Sequence, residues 1–350
     1  MSDVLAHADD RPDRPGHPGH SDHPGYGGRG KHGGPSRLSR LFEWPGWPGP
    51  PGVSGAPEPA GSSGPLRPAS LWGDAWDDLR RRPMFIGSAL LISIFLLMSA
   101  FPRLFTSVDP FDATTCLLGD ARQGMSDLHW FGTDNLGCDV YARTVHGARN
   151  SIVVGVTTTV VTALVGGLLG LVAGFRGGAV DTLLSRITEI FFAIPSILGA
   201  LLILSIFRTG DVWTVVPALA VLAWPMTFRV MRAAVITVKG QDYVVAARAL
   251  GASTPRIMFR HILPNAAASV IVVSTINLGG FIAAEAGLSF LGVGLRSPDI
   301  SWGLMISDAR QRFLEAPGPL LFPALFLSLT VLAAIMLGDA VRDALDPKLR

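Results

Sequence analysis

The chain has 350 residues, of which 49% are hydrophobic and only 16% charged, and its formal net charge is +2. Together with a mean hydropathy of +0.40, this excludes the concentrated basic surface of a nucleic-acid binder and places most of the chain in a bilayer. Where the charges fall therefore says more than their sum.

Residues 1–70 differ from the rest. HADDRPDRPGHPGHSDHPGYGGRGKHGG and WPGWPGPPGVSGAPEPAGSSGP are rich in Gly, Pro and Ser and nearly free of aliphatic runs. Such a segment cannot bury enough apolar surface to offset its ordering entropy, so a disordered cytoplasmic tail is expected. It holds no apolar core of about 7–15 residues, as a signal peptide would. His7, His17, His20, His23 and His32 lack metal-site spacing and a fold to hold it; no metal is expected.

Residues 71–350 carry six apolar runs, at about 84–101, 151–175, 187–207, 212–235, 266–291 and 320–337. A helix needs about 20 residues to cross about 30 Å of hydrocarbon. Closed hydrogen bonding in lipid makes these runs helices rather than strands, so the expected fold is all-α with six transmembrane helices. Glycine recurs within them, in GGLLGLVAG (166–174) and LGGFIAAEAG (278–287), where small residues permit close helix approach. Pro195, Pro217, Pro225 and Pro323 interrupt the runs and can bend helices.

Charge placement sets the expected topology. Arg80, Arg81 and Arg82 precede the first run, and Arg342, Lys348 and Arg350 follow the last. The connection between the fourth and fifth runs adds Arg229, Arg232, Lys239, Arg248, Arg256 and Arg260. All three belong inside, with both termini cytoplasmic. The first external loop is acidic (Asp109, Asp112, Asp120, Asp127, Asp134 and Asp139), although Arg103, Arg122, Arg143 and Arg149 lie there too. It also holds Cys116 and Cys138. On the outer side these two can form a lasting disulfide, with two free thiols as the alternative.

Two carboxylates fall within the runs. Glu189 lies near the start of the third and Glu285 deep in the fifth. Charge at membrane depth is costly, which makes both candidates for the translocation path; for Glu285 a structural buried acid is the equal alternative. The final external segment, 292–319, mixes Trp302, Met305, Ile306 and Phe313 with Asp308, Arg310 and Arg312 and suits an interfacial amphipathic helix.

The stretch 242–265, DYVVAARALGASTPRIMFRHILPN, predicts two short helices broken at a glycine. Asp242 can cap a helix running through Leu250, and Gly251 suits the position past its end, where φ turns positive. Ser253 or Thr254 can cap the next helix, Pro255 fits its first turn, and Pro264 lies near its end.

This stretch resembles the cytoplasmic "EAA" loop of ABC-importer permeases. Ala246, Ala247, Gly251, Leu263 and Pro264 match the pattern, while Val245 stands where the glutamate is expected. The ATPase-coupling residues implied are Asp242, Ala246, Ala247, Arg248, Gly251, Leu263 and Pro264. Three further blocks resemble dipeptide, oligopeptide and nickel permeases, and within them the second, "C-type" subunit: HWFGTDNLGCDVYARTVHGARNS (129–151), AEAGLSFLGVGLRSPDISWG (284–303) and LGDAVRDALDPKLR (337–350).

The resemblance implies a type I ABC-importer permease of a bacterial inner membrane, embedded in lipid. Its partners would be a second homologous permease, two ATPase subunits and an extracytoplasmic substrate-binding protein. Dipeptides or oligopeptides are the first substrate reading and nickel chelates the alternative. The chain has no G-x-x-x-x-G-K-[ST] run to cradle phosphates, so no cofactor and no enzyme activity are expected of it; ATP and Mg would be bound by the ATPases. A stand-alone ion-gradient carrier and a non-transporting scaffold are the competing classes. The coupling-type hairpin, the lack of a recognisable internal repeat and the scarcity of intramembrane charge argue against the carrier.

Overall fold

A computed structural model of the protein describes residues 71–207 and 209–345. The expected disordered tail, 1–70, lies outside the described residues, as do Lys348 and Arg350. Among the described residues there is no β-strand, only an isolated bridge between Thr133 and Asp139.

A short helix, α1 (Leu71–Leu79), precedes α2 (Pro83–Ala100). Pro83 sits in the first turn of α2, where its missing N–H costs nothing. The loop 101–139 contains only single 3-10 turns. α3 (Val140–Arg176) is 37 residues long and begins eleven positions before the expected 151. Its early start has a local cause: Asp139 caps the helix by accepting from the Ala142 N–H at 2.7 Å, so the polar turns ahead of the apolar run are helical too.

The third apolar run is not one straight helix. α4 (Gly178–Phe192) and α5 (Ser196–Ile206) meet at 83° across residues 193–195. Pro195 cannot donate to the helix ladder and pushes Ile194 out of helical geometry, so the run breaks there. α6 (Val212–Lys239) follows, capped by Asp211 and carrying Pro217 and Pro225 inside it. Next come α7 (Asp242–Ala249), α8 (Thr254–Arg256), α9 (Leu263–Phe290), α10 (Trp302–Ala309) and α11 (Gly318–Leu345). A π turn, Ile257–Ile262, joins α8 to α9, so 254–290 forms one 37-residue rod. Among the described residues, five helices are long and apolar enough to span a membrane, and the bent α4–α5 pair makes a sixth when counted as one span.

Packing follows the small residues. Gly166, Gly170 and Gly174 recur every fourth position and line one face of α3. A Cβ on them would lie 2.6, 2.6 and 2.9 Å from the carbonyl oxygens of Trp224, Phe228 and Arg232. Both series rise together, so α3 and α6 run parallel with their backbones in contact, which only hydrogen in place of a side chain permits. Gly279 closes in the same way on Val331 and Ala334 of α11. The connections then sort into two ends. The loop end carries 101–139 and 291–317, and the hairpin end carries α1, α7 and the last turns of α3, α6 and α11.

Candidate functional site: the hairpin and a buried carboxylate

At the hairpin end, α7 starts at Asp242, with Gln241 rather than Asp242 in the capping position. Asp242 stands in the first turn, where its charge still favours the helix dipole. The helix ends one residue earlier than expected. Gly251 has φ +79, and its N–H donates to the Arg248 carbonyl at 3.0 Å while the Ala252 N–H donates to that of Ala247 at 3.1 Å. These two bonds make a Schellman stop, which satisfies otherwise orphaned carbonyls and requires the left-handed conformation that glycine adopts freely.

The second arm differs from a separate short helix. Pro264 has no N–H to give, and the wider π turn ahead of it lets the Leu263 N–H reach Met258 instead. The arm therefore runs directly into α9. Pro264 begins that long helix rather than ending a short one.

Burial anchors the hairpin. Val244, Ile257 and Ile262 pack with Leu171 of α3, Met231 and Val235 of α6 and Ala266 of α9. Arg232 of α6 forks onto Asp181 of α4, with Nη2 2.6 Å from Oδ2, and Lys239 Nζ donates to the Phe175 carbonyl. The opposite side faces outward. Leu250 is 88% and Val245 55% exposed; Ala246, Arg248, Arg256, Arg260 and Pro264 are exposed as well, Ala247 and Leu263 half-buried. The hairpin thus exposes apolar side chains together with Arg248, Arg256 and Arg260.

The loop end is held differently. Cys116 and Cys138 are bonded, closing residues 22 apart. Gly137, with φ +78, passes so near Leu117 that a Cβ would lie 1.9 Å from its carbonyl oxygen. Asp134 Oδ1 accepts from the Leu136 and Cys138 N–H groups at 2.8 and 3.0 Å, and its other oxygen pairs with Arg143. Asp139 Oδ2 meets His129 Nδ1 at 2.8 Å. The Gly-Thr-Asp…Gly…Asp block is thus the framework of this loop. Burial, the nearby Asp211 carboxylate and, opposing them, an Asn150 hydrogen bond leave the Asp299 carboxyl raised above its ordinary range. Among the described residues no three metal-ligating side chains converge.

The two intramembrane carboxylates have unlike settings. Glu189 is half exposed on α4 and pairs with Arg186, 2.7 Å away and three residues before it. Glu285 is 0% exposed. Its Oε1 accepts from Ser289 Oγ–H at 2.8 Å and Ser301 Oγ–H at 2.9 Å, and its Oε2 from Ser151 Oγ–H at 3.1 Å. Ser151, Ser289 and Ser301 did not stand out in the sequence. The one local signal was the four-residue spacing of Glu285 and Ser289, which puts them on one helix face.

The chain is similar to known proteins over most of its length. The model of the family described as binding-protein-dependent transport system inner membrane component matches residues 166–350. That of the N-terminal TM domain of oligopeptide transport permease C matches residues 70–119. Among curated proteins, the oligopeptide transport system permease protein OppC of Bacillus subtilis (strain 168) is 40% identical over 281 residues, covering 80% of this chain and 91% of that protein. The dipeptide transport system permease protein DppC of Alkalihalophilus pseudofirmus is 39% identical, with the same coverage of each chain. The glutathione transport system permease protein GsiD of Escherichia coli O6:K15:H31 is 38% identical over 280 residues, again covering 80% of this chain and 91% of that protein.

Proposed function

This chain belongs to the family of binding-protein-dependent transport system inner membrane components, and on that premise we propose that it is the membrane permease of an ATP-driven importer of dipeptides or oligopeptides. Relatives named for oligopeptide, dipeptide and glutathione transport support the substrate class. The chain is a multi-pass protein of the bacterial inner membrane. It forms half of the translocation pathway, and a second, homologous permease forms the other half. Two ATPase subunits bind ATP and Mg and supply the work, and an extracytoplasmic binding protein delivers the peptide.

The hairpin carries the mechanism. Arg80, Arg81 and Arg82 lie at the same end of the bundle as α7 and α8, and by the positive-inside rule this supports a cytoplasmic position for that end. Its inner side is pinned by Val244, Ile257 and Ile262, and its outer side offers Val245, Leu250 and Arg248 to a groove of an ATPase subunit. With Val245 in place of a glutamate, apolar contact carries more of this docking than an ion pair does. The 254–290 rod of 37 residues is about 55 Å long at 1.5 Å per residue. Displacement of the hairpin by the ATPases therefore reaches the far side of the membrane through one continuous element, the form of rigid-body change that alternating access needs.

Co-expression and purification test the reading. The chain should bring down a sister permease and ATPase subunits, and the reconstituted complex with its binding protein should hydrolyse ATP faster when a dipeptide or oligopeptide is added. Purification as a lone protein that transports peptide on an ion gradient alone would overturn it.

A further inference from the structure

We propose that Glu285 is a positioning residue of the outer half of the permease, the acceptor that fastens the segment 295–304 to α3 and α9, and that it takes no part in lining the passage. This rests on the importer reading above.

The first argument is exposure. A passage formed between two permeases is open on the face of each single subunit, so a residue lining it has exposed surface in the isolated chain. Glu285 has none.

The second argument is hydrogen-bond polarity. Ser151 Oγ accepts from the Trp302 N–H at 3.2 Å, Ser289 Oγ from the Leu295 N–H at 3.0 Å, and Ser301 Oγ from the Leu304 N–H at 3.2 Å. These amides belong to the irregular stretch after α9 and to the first turn of α10, where a helix cannot satisfy its own donors. Each hydroxyl has committed an acceptor site to an amide, so its single proton must point at another acceptor. One carboxylate takes all three protons. A buried carboxyl without partners would be costly; here one side chain organises six hydrogen bonds across α3, α9, the 291–301 stretch and α10.

Neighbouring contacts make the same join. Trp302 Nε1 donates to the Thr144 carbonyl at 2.9 Å, and Asn150 Nδ2 to that of Ile300 at 2.9 Å. Gly303 lies so close to Ala286 that a Cβ would come within 2.4 Å of its Cα.

The geometry also ranks the substitutions. In Glu285→Gln the amide oxygen keeps the Ser289 and Ser301 protons, and its NH2 can donate to the second lone pair of Ser151 Oγ. The link to α3 is then kept with its direction reversed, and only the Ser151 proton loses its acceptor. In Glu285→Ala three hydroxyls lose their acceptor at once. Ser289→Ala removes one link and leaves the Ser301 cap of α10 intact.

The test uses the reconstituted complex with its binding protein and both partner types. Glu285→Ala should lower peptide-stimulated ATP hydrolysis at least tenfold with the half-saturating peptide concentration unchanged, and should expose 295–304 to limited proteolysis. Glu285→Gln should stay within about threefold of the parent in both readouts, and Ser289→Ala should fall between. Where Glu285→Ala yields no complex, Glu285→Gln and Ser289→Ala carry the test. Parent-like stimulation and protection in Glu285→Ala, or in Ser289→Ala where that alone is recovered, would overturn the assignment. So would a change in preference between cationic and neutral peptides with 295–304 still protected. If the parent complex itself shows no peptide-stimulated hydrolysis, the importer reading fails instead.

Discussion

The two ends of the bundle are built by different physics. The hairpin end is held by apolar burial: Val244, Ile257 and Ile262 against the last turns of α3 and α6, with a Schellman stop fixing the turn. The loop end has a disulfide, Asp134 accepting from turn amides, Asp139 capping α3 and a buried carboxylate that gathers serine hydroxyls. The hairpin leaves the apolar side chains of Val245 and Leu250 exposed on its surface, so its own anchoring lies beneath. The loop end adds covalent and polar links to an apolar cluster of its own, in which Val140, Ile300 and Met305 pack with Phe131.

Single substitutions can break that contrast. The largest effect is expected for Gly137→Val, where positive φ and the Leu117 carbonyl 1.9 Å from a Cβ forbid any side chain. A cost of about 3 kcal/mol to the loop is expected, seen as alkylation of Cys116 and Cys138 at a lower concentration of added dithiol reductant than the parent needs. Unchanged thiol protection would remove the claim that this turn is rigid.

Gly251→Val probes the other end. There a Cβ meets nothing within 4 Å, so only the backbone strain of about 1–2 kcal/mol remains. Membrane insertion and the melting of the bundle in detergent should be nearly unchanged, while peptide-stimulated ATP hydrolysis should fall about tenfold. Normal stimulation would show that hairpin geometry does not couple the ATPases.

Leu250→Ser sharpens the comparison further. This side chain is almost wholly exposed, so stability should change by less than about 0.5 kcal/mol. Retention of the ATPase subunits during purification should drop, and because the contact is apolar, it should drop similarly at low and high salt. Equal retention by parent and variant would place the grip elsewhere.

The smallest effect belongs to Asp299→Asn. Burial and Asp211 raise the folded pKa of Asp299, so the folded chain holds this proton more tightly than the unfolded chain does. Ionised Asp299 therefore costs stability at neutral pH, and that cost fades as pH falls toward the raised pKa. The variant should melt slightly higher than the parent at pH 7 to 8, and the gap should close on acidification. A gap that widens in acid would reverse the sign argued here.

Much of the architecture was legible in the residues. Apolar runs announced the spans, because lipid leaves the backbone no partners but its own. Gly251 announced the hairpin turn, because few residues accept positive φ. Less legible was the length of α3, set by the Asp139 cap. Pro195 did mark a place where the run 187–207 could bend, but not that it would turn by 83° there while Pro217 and Pro225 stay inside one helix. Pro264 read as a helix end, yet one wide turn let the helix pass through it.

Glu285 marks the boundary between the two kinds of knowledge. Order along the chain determined that an acid sits deep in an apolar run, a statement about local composition. Its partners are Ser289 four residues on, Ser301 sixteen residues on and Ser151 on α3, 134 residues away. Only the folded arrangement brings those hydroxyls together, because hydrogen bonds depend on distances in space that positions along a chain do not specify.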